Sequence, residues 1–228
     1  MNTWFSVTRR TDTARLYIFG EIGSFGCGSQ QVLAQLDGVN GVELVLDSPG
    51  GSSCDALEIY DRLVKLDTSV TIHRAYSAAA VLAQSGKVRR ILSTGRMMVH
   101  PAIDFVAGTS ARLRERAESL DTFNQRLAEI FAARTGQPVS VAAHWHSGPD
   151  FYFNAQEALA AGLADEIIEP PSLPVSATPS ESTPAEPGPT EDEAFTLDFL
   201  RAIGPLRVGS RPRFERELRA WFSGVREA

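Results

Sequence analysis

The chain has 228 residues, 43% of them apolar, and a formal charge of −6, which suits one domain of ordinary size with a real core and an appendage. The acidic balance argues against a nucleic-acid binder, which carries a basic face. The two cysteines, Cys27 and Cys54, sit in no CxxC or Cys/His cluster, so neither a disulfide framework nor a metal site is expected, and nothing points to a cofactor. "MNTWFSVTRRTDTA" lacks the apolar core of a signal peptide, and no run approaches the roughly 20 apolar residues of a membrane span. The expectation is a cytoplasmic protein without a membrane or nucleic-acid partner.

Along residues 15–169, short β-like runs alternate with helical stretches. "RLYIFGEI" (15–22) reads as a strand and 29–36 as a helix. "GVELVLDS" (41–48) is a second strand, followed by an amphipathic segment over 54–66 with Leu57, Tyr60, Leu63 and Val64 at helical spacing. "SVTIHR" (69–74) is a third strand and "SAAAVLAQ" (77–84) a third helix. "VRRILS" and "RMMVH" read as two short strands parted by a turn at Thr94 and Gly95. A long helical tract covers 109–136, with Gly136 as its C-cap, and Leu113, Leu120, Phe123, Leu127 and Phe131 form an apolar stripe along it. "NAQEALAAG" (154–162) is a helix with Asn154 as N-cap and Gly162 as its stop, and "LADEII" (163–168) is a final strand. Strands alternating with helices predict an α/β fold with a mostly parallel sheet.

Composition changes after Glu169. Seven prolines fall within 170–189 among Ser, Thr, Ala and Glu, a mixture that cannot bury enough surface to order itself. The division expected is a folded domain over 1–169, a disordered linker over 170–193 and a short amphipathic helical tail over 194–228. From Arg201 onward there are seven arginines against three glutamates, so the tail is basic within an acidic chain. It is too small for a core of its own and is expected to dock on something.

Three features could carry chemistry. "DSPGG" (47–51) ends a strand and opens a helix, where Pro49 fixes φ and Gly50 and Gly51 permit close backbone approach. Such a turn serves as an oxyanion cradle or as a plain tight turn. Ser77 follows a strand and precedes a helix rich in small residues; it is either an N-cap or a nucleophile with the Ala78 N–H beside it. A nucleophilic serine needs a base, and the chain has only four histidines, His73, His100, His144 and His146. His100 ends a strand and Pro101 turns the chain out of the sheet, so it sits at the strand edge where open α/β sheets bind ligands. His73 lies inside a strand, and His144 and His146 read as surface-loop residues ahead of "GPDFYF".

"LVLDSPGG", "YSAAAVLAQSG", "RMMVHPA", "RTGQP" and "FNAQEALAAGLADEI" together resemble the ClpP-like serine peptidases, in order and spacing. The 23-residue step from Ser77 to His100 is most similar to the phage-type branch of head maturation (prohead) proteases. The likeness covers about 15–169 and none of the linker or tail. It implies the ClpP/crotonase-like fold, a repeated β-β-α superhelix in which 109–136 is a protruding handle helix. It makes Ser77 the nucleophile and His100 its general base, with Gly50, Gly51 and the Ala78 N–H at the oxyanion and no metal. The family has Asn where Asp47 stands and Met-Gly where Ala78 and Ala79 follow the serine. Its third residue is an acid, which the family spacing drops near 146–148, inside "HWHSGPDFYF". Asp150 is the nearest carboxylate, a Ser-His pair and a backbone carbonyl on His100 being the alternatives.

The resemblance implies a serine endopeptidase working through an acyl-enzyme on a polypeptide substrate. The first expectation is a phage or prophage head maturation protease acting on capsid or scaffold protein inside a prohead. The second is the proteolytic subunit of a Clp-type degradative complex, fed by an AAA+ unfoldase in the bacterial cytosol. The third is an inactive structural or assembly subunit. An acyl-CoA enzyme of the crotonase type is disfavoured by the Ser77/His100 pair, because those enzymes rely on carboxylates. The family also implies a homo-oligomeric ring or stacked rings.

Overall fold

A computed structural model of the chain describes residues 3–170. The expected linker, apart from Pro170, and the basic tail lie outside the described residues. The elements are β1 (Phe5–Arg9), β2 (Thr13–Ile18), α1 (Ser29–Gln35), β3 (Gly41–Ser48), α2 (Ser53–Leu63), β4 (Asp67–Tyr76), α3 (Ala78–Ala83), β5 (Val88–Val99), α4 (Ser110–Thr135), α5 (Val139–Trp145), β6 (Phe151–Asn154), α6 (Ala155–Ala160) and β7 (Glu166–Ile168). A short 3₁₀ turn, Ser24–Gly26, separates β2 from α1.

One sheet runs in the order β1-β2-β3-β4-β5-β6, with β7 also on β5. The β2/β3, β3/β4, β4/β5 and β5/β7 pairs are parallel, whereas β1/β2 and β5/β6 are antiparallel. The α/β domain with a largely parallel sheet is therefore what the chain forms. Strands β3 and β4 alternate buried residues such as Leu44, Leu46, Val70 and Ile72 with less buried ones, because helices cover the sheet. Helix α2 lays Ala56, Leu57, Ile59, Tyr60 and Leu63 inward. Each buried Leu or Ile there contributes roughly 1.5–3 kcal/mol.

Local chemistry sets the helix ends. Ser52 Oγ accepts the Asp55 N–H at 3.2 Å, and Thr109 Oγ1 accepts the Arg112 N–H at 3.4 Å. Asn154 and Glu157 form a reciprocal capping box, with bonds of 3.0 and 2.8 Å. Gly136 closes α4 at φ 72°, a left-handed conformation that glycine adopts without penalty.

Four expectations change. The two strands expected over 88–100 are one strand, β5, and the expected break survives as a register shift: Ile72 pairs with Ile91, but Arg74 pairs with Arg96. Strand β1, helix α5 and strand β6 were not foreseen. β1 gains its place only by pairing with β2, α5 is a single short helix, and β6 has four residues. The amphipathic segment after Cys54 stops at Leu63, leaving Val64 43% exposed. The stripe on α4 is buried only in its C-terminal half. Leu127 and Phe131 are 4% and 0% exposed, whereas Leu113 is 43% exposed, so the first turns of α4 stand clear of the described domain.

A polar network stitches the C-terminal end of the domain to the sheet. Arg89, 5% exposed, donates to Asp165 from Nη2 at 2.5 Å and from Nε at 3.0 Å, and to Gln84 Oε1 from Nη1 at 2.6 Å. The Arg89 N–H also donates to Asp165 Oδ2 at 2.7 Å. This holds the Asp165 carboxyl below the usual carboxylate range against its own desolvation. Removing one partner of a buried pair strands the other charge. Asp165→Ala is expected to lower stability by about 2–3 kcal/mol, read from the urea midpoint, with the larger loss expected from Asp165→Lys.

Candidate active site

Strands β3, β4 and β5 all leave the sheet at the same edge, the carboxyl edge at which open parallel sheets gather their ligands. The turn 48–51, Ser77 and His100 are the first residues beyond that edge. β6 runs the other way, so it is its beginning that meets them.

Ser77 occupies a strand-to-helix corner with φ 54° and ψ −122°. A non-glycine residue at such angles costs on the order of 1–3 kcal/mol and persists only where its surroundings hold it. The Ser77 N–H donates to Met98 O at 2.8 Å, and Ser77 O accepts the Ala80 N–H at 2.9 Å. The hydroxyl does not cap helix α3. It lies 2.6 Å from His100 Nε2. Of the two readings open for this serine, the N-cap is therefore not the one its side chain adopts. All of Ala78–Ala83 is buried, and the small side chains let this helix sit tightly behind the serine.

His100 is half-buried, its side chain 16% exposed, and its Nδ1 lies 3.7 Å from Asp150 Oδ1. Strand register explains the approach. Val99 pairs with Phe151 and Met98 with Tyr152, so one further step sets His100 opposite Asp150. The carboxylate beside His100 is therefore Asp150, the candidate named from the sequence, which stands just ahead of β6 and two residues past the family spacing. His146 is no loop residue either. It caps the end of α5, is 4% exposed, and donates from Nδ1 to Ala142 O at 2.8 Å. Burial holds its imidazole below the ordinary histidine range; the Ala142 carbonyl opposes this and the charge of nearby His100 adds to it. His144 lies on α5 with its ring edge-on to Phe151 at 5.0 Å. Asp47 is no candidate for the acid, because its Oδ1 pairs with Arg74 Nε at 2.9 Å.

The Gly50–Gly51 turn packs directly on the serine. A Cβ on Gly50, at φ 97°, would lie 2.6 Å from Tyr76 O, 2.7 Å from Ser77 Cβ and 3.0 Å from the Ala78 nitrogen. The Gly50 N–H, expected at the oxyanion, is instead turned to Ser48 Oγ at 3.1 Å. Gly51, at φ 136°, makes an isolated parallel bridge with Ile22. Its turn is pinned there by Ile22 N–H to Gly50 O at 2.8 Å and Ser52 N–H to Ile22 O at 2.9 Å. Ala78 opens α3, where an N–H has no intrahelical carbonyl to reach. A cleft of about 360 Å³ opens beside Pro101, lined by Asp121, Asn124, Ala143 and His146 among others. Among the described residues no cluster of His, Cys, Asp and Glu could hold a metal, and no helix is long and apolar enough to cross a membrane.

Chemically, a neutral imidazole accepting the Ser77 proton at Nε2 leaves Nδ1–H towards Asp150, an arrangement able to deliver an alkoxide to a carbonyl and to stabilise the resulting imidazolium. Residues 27–171 match the family described as Clp protease. The chain is 34% identical over 148 residues to the ATP-dependent Clp protease proteolytic subunit 2 of Chlamydia muridarum, covering 60% of this chain and 72% of that one. It is 35% identical over 147 residues to subunit 3 of Rhodococcus jostii (62% and 72%). Against subunit 1 of Chlamydia felis it is 33% identical over 148 residues (60% and 72%).

Two outcomes follow from this geometry. Gly50→Ala is expected to displace the Ser77 corner and slow fluorophosphonate labelling of Ser77 at least tenfold, with the fold retained by circular dichroism. Burial also depresses His73, against the pull of Asp47, as it depresses His146. Below about pH 6.5 an unfolded histidine takes a proton that these two resist. Stability should therefore fall as pH drops from 7.5 to 5.5, seen as a lower Tm, and His146→Gln should flatten that slope.

Proposed function

The chain belongs to the Clp protease family, and we propose that it is a serine endopeptidase in which Ser77 is the nucleophile, His100 the general base and Asp150 the acid that orients it. The observation that carries this reading is the 2.6 Å contact between Ser77 Oγ and His100 Nε2, made by a serine whose strained backbone turns its hydroxyl away from capping its helix. His100 takes the hydroxyl proton as Oγ attacks a peptide carbonyl, then returns it to the leaving amine; water repeats the cycle on the acyl-enzyme. The Ala78 N–H, which has no intrahelical carbonyl to reach, is the donor that meets the developing oxyanion, a preorganised donor of this kind being worth roughly 3–4 kcal/mol; the Gly50–Gly51 turn packs against it while the Gly50 N–H stays on Ser48 Oγ.

Within the family, the reading best supported is that of a proteolytic subunit of an ATP-dependent Clp-type assembly, since its relatives carry that name; an oligomer fed by an AAA+ unfoldase is the form that this reading takes. The exposed first turns of α4, together with Ile103 and Phe105 at 73% and 95% exposure, supply the apolar surface that a second copy would cover. Head maturation in a phage or prophage is the second reading, favoured by the 23-residue step from Ser77 to His100 and by the appended segment 170–228. Copurification with an unfoldase selects the first; cleavage of a coat or scaffold protein encoded beside it selects the second.

Ser77→Ala is expected to abolish both fluorophosphonate labelling and peptide hydrolysis. Asp150→Asn should lower kcat by about 10²–10⁴, the upper figure being that for a fully engaged triad acid. Failure of the well-folded wild-type chain to be labelled at Ser77 would sink the reading and leave a structural subunit.

A further inference from the structure

We propose that Tyr152 is a positioning residue that holds Asp150 against His100, a role that rests on the Ser77–His100–Asp150 reading above. Asp150 needs such a hold. It stands one residue outside β6, beyond the last strand residue that the ladder with β5 secures, and its side chain is 49% exposed. A carboxylate in that position is free to turn to water. Two groups face it: His100 Nδ1, 3.7 Å from Oδ1, and the Tyr152 hydroxyl, which donates to Oδ2 at 3.4 Å. Among the described residues the phenol is the one hydrogen-bond donor to this carboxylate.

The strand periodicity makes the pairing possible. Residues two apart on a strand share a face, so Tyr152 rises beside Asp150 on the side where the register also sets Met98 and His100. With Oδ2 engaged by the phenol, Oδ1 is left for the imidazole, and the carboxylate plane is fixed by two points instead of one. The phenol ring, 62% exposed, has an aromatic neighbour of its own. The Tyr152 ring meets the ring of Tyr76 edge-on, centroids 6.0 Å apart at 88°, and Tyr76 is the residue before Ser77. Acid and nucleophile are thereby tied to each other through two aromatic rings as well as through His100. Desolvation first, and the Asp150 charge next, push the Tyr152 phenol up, so it remains a donor at neutral pH. A 3.4 Å contact is long for an O–H donor; bonds in uncomplexed active sites commonly are, and they tighten once substrate is bound.

An exposed tyrosine of no consequence tolerates loss of its hydroxyl, and Tyr152→Phe removes that hydroxyl while keeping the ring on Tyr76. The test uses the full chain as wild type, Tyr152→Phe, Asp150→Asn and the double variant. Two readouts are taken: the second-order rate of Ser77 inactivation by a fluorophosphonate, and kcat and KM on a fluorogenic peptide. Tyr152→Phe is expected to lower the inactivation rate and kcat about five- to tenfold with KM unchanged, well short of the roughly 10⁴-fold loss that follows complete removal of a triad acid. In the Asp150→Asn background it should change neither rate further, because its effect passes through that carboxylate. Wild-type rates for Tyr152→Phe, an equal loss in both backgrounds, or a raised KM at constant kcat would each overturn the proposal. If the wild type reacts with the fluorophosphonate but cleaves no peptide, the endopeptidase reading fails alone and the inactivation rates still decide the role of Tyr152. If the wild type does not react at all, both fall together.

Discussion

The hydrogen bond from the Ser77 N–H to Met98 O, 2.8 Å long, joins strands β4 and β5 at the point where each is about to leave the sheet. It holds Ser77 in a backbone conformation that it would not adopt unaided, at φ 54°. It also fixes how far the serine stands from His100, two residues beyond Met98. The close packing behind it follows. Gly50 has no side chain because Tyr76 O and Ser77 Cβ already occupy the place a Cβ would take. The following helix is alanine-rich because it is buried on every side. An enlarged residue at any of these positions pushes on the same corner.

The sheet does the remaining work of assembly by mixing strand directions. Three parallel strands deliver the turn 48–51, Ser77 and His100 to one edge, and an antiparallel strand brings Asp150 back to that edge. β5 serves two partners in succession, β7 along Arg90–Leu92 and β6 along Arg96–Val99. The register shift between Ile72 and Arg74 divides the two stretches. The buried Arg89–Asp165–Gln84 network anchors the first stretch, while the second carries the site. Rigid support and the candidate catalytic edge thus lie on successive halves of one strand.

Histidine usage shows how environment separates like residues. His100 stands at the sheet edge with Nε2 on a hydroxyl and Nδ1 towards a carboxylate. His146, close enough to feel its charge, is buried and keeps its Nδ1 proton on a backbone carbonyl. Both nitrogens of the edge histidine thus meet polar side chains, whereas burial holds the His146 ring towards its neutral form.

Much of this was legible in the residues alone. Strand-helix alternation over 15–169, the caps at Asn154 and Gly136 and the Gly-Gly turn are local signals, carried by periodicity and by residues with narrow conformational preferences; the pairing of Ser77 with His100 was implied by the family resemblance. What escaped was whatever depended on a partner strand. β1 and β6 are strands because β2 and β5 receive their backbone groups, and "FYFN" is too short to announce itself by alternation, although its aromatic content was a usable sign. Asp150 could be named from the residues as the nearest carboxylate, but not that it lies beside His100. Counting along the chain from a family pattern led to 146–148, whereas the antiparallel register sets Asp150 opposite His100. Sequence determined which side chains could do the chemistry. Tertiary structure decided which of them meet, because strand register is a relation between segments 52 to 58 residues apart and no local propensity encodes it.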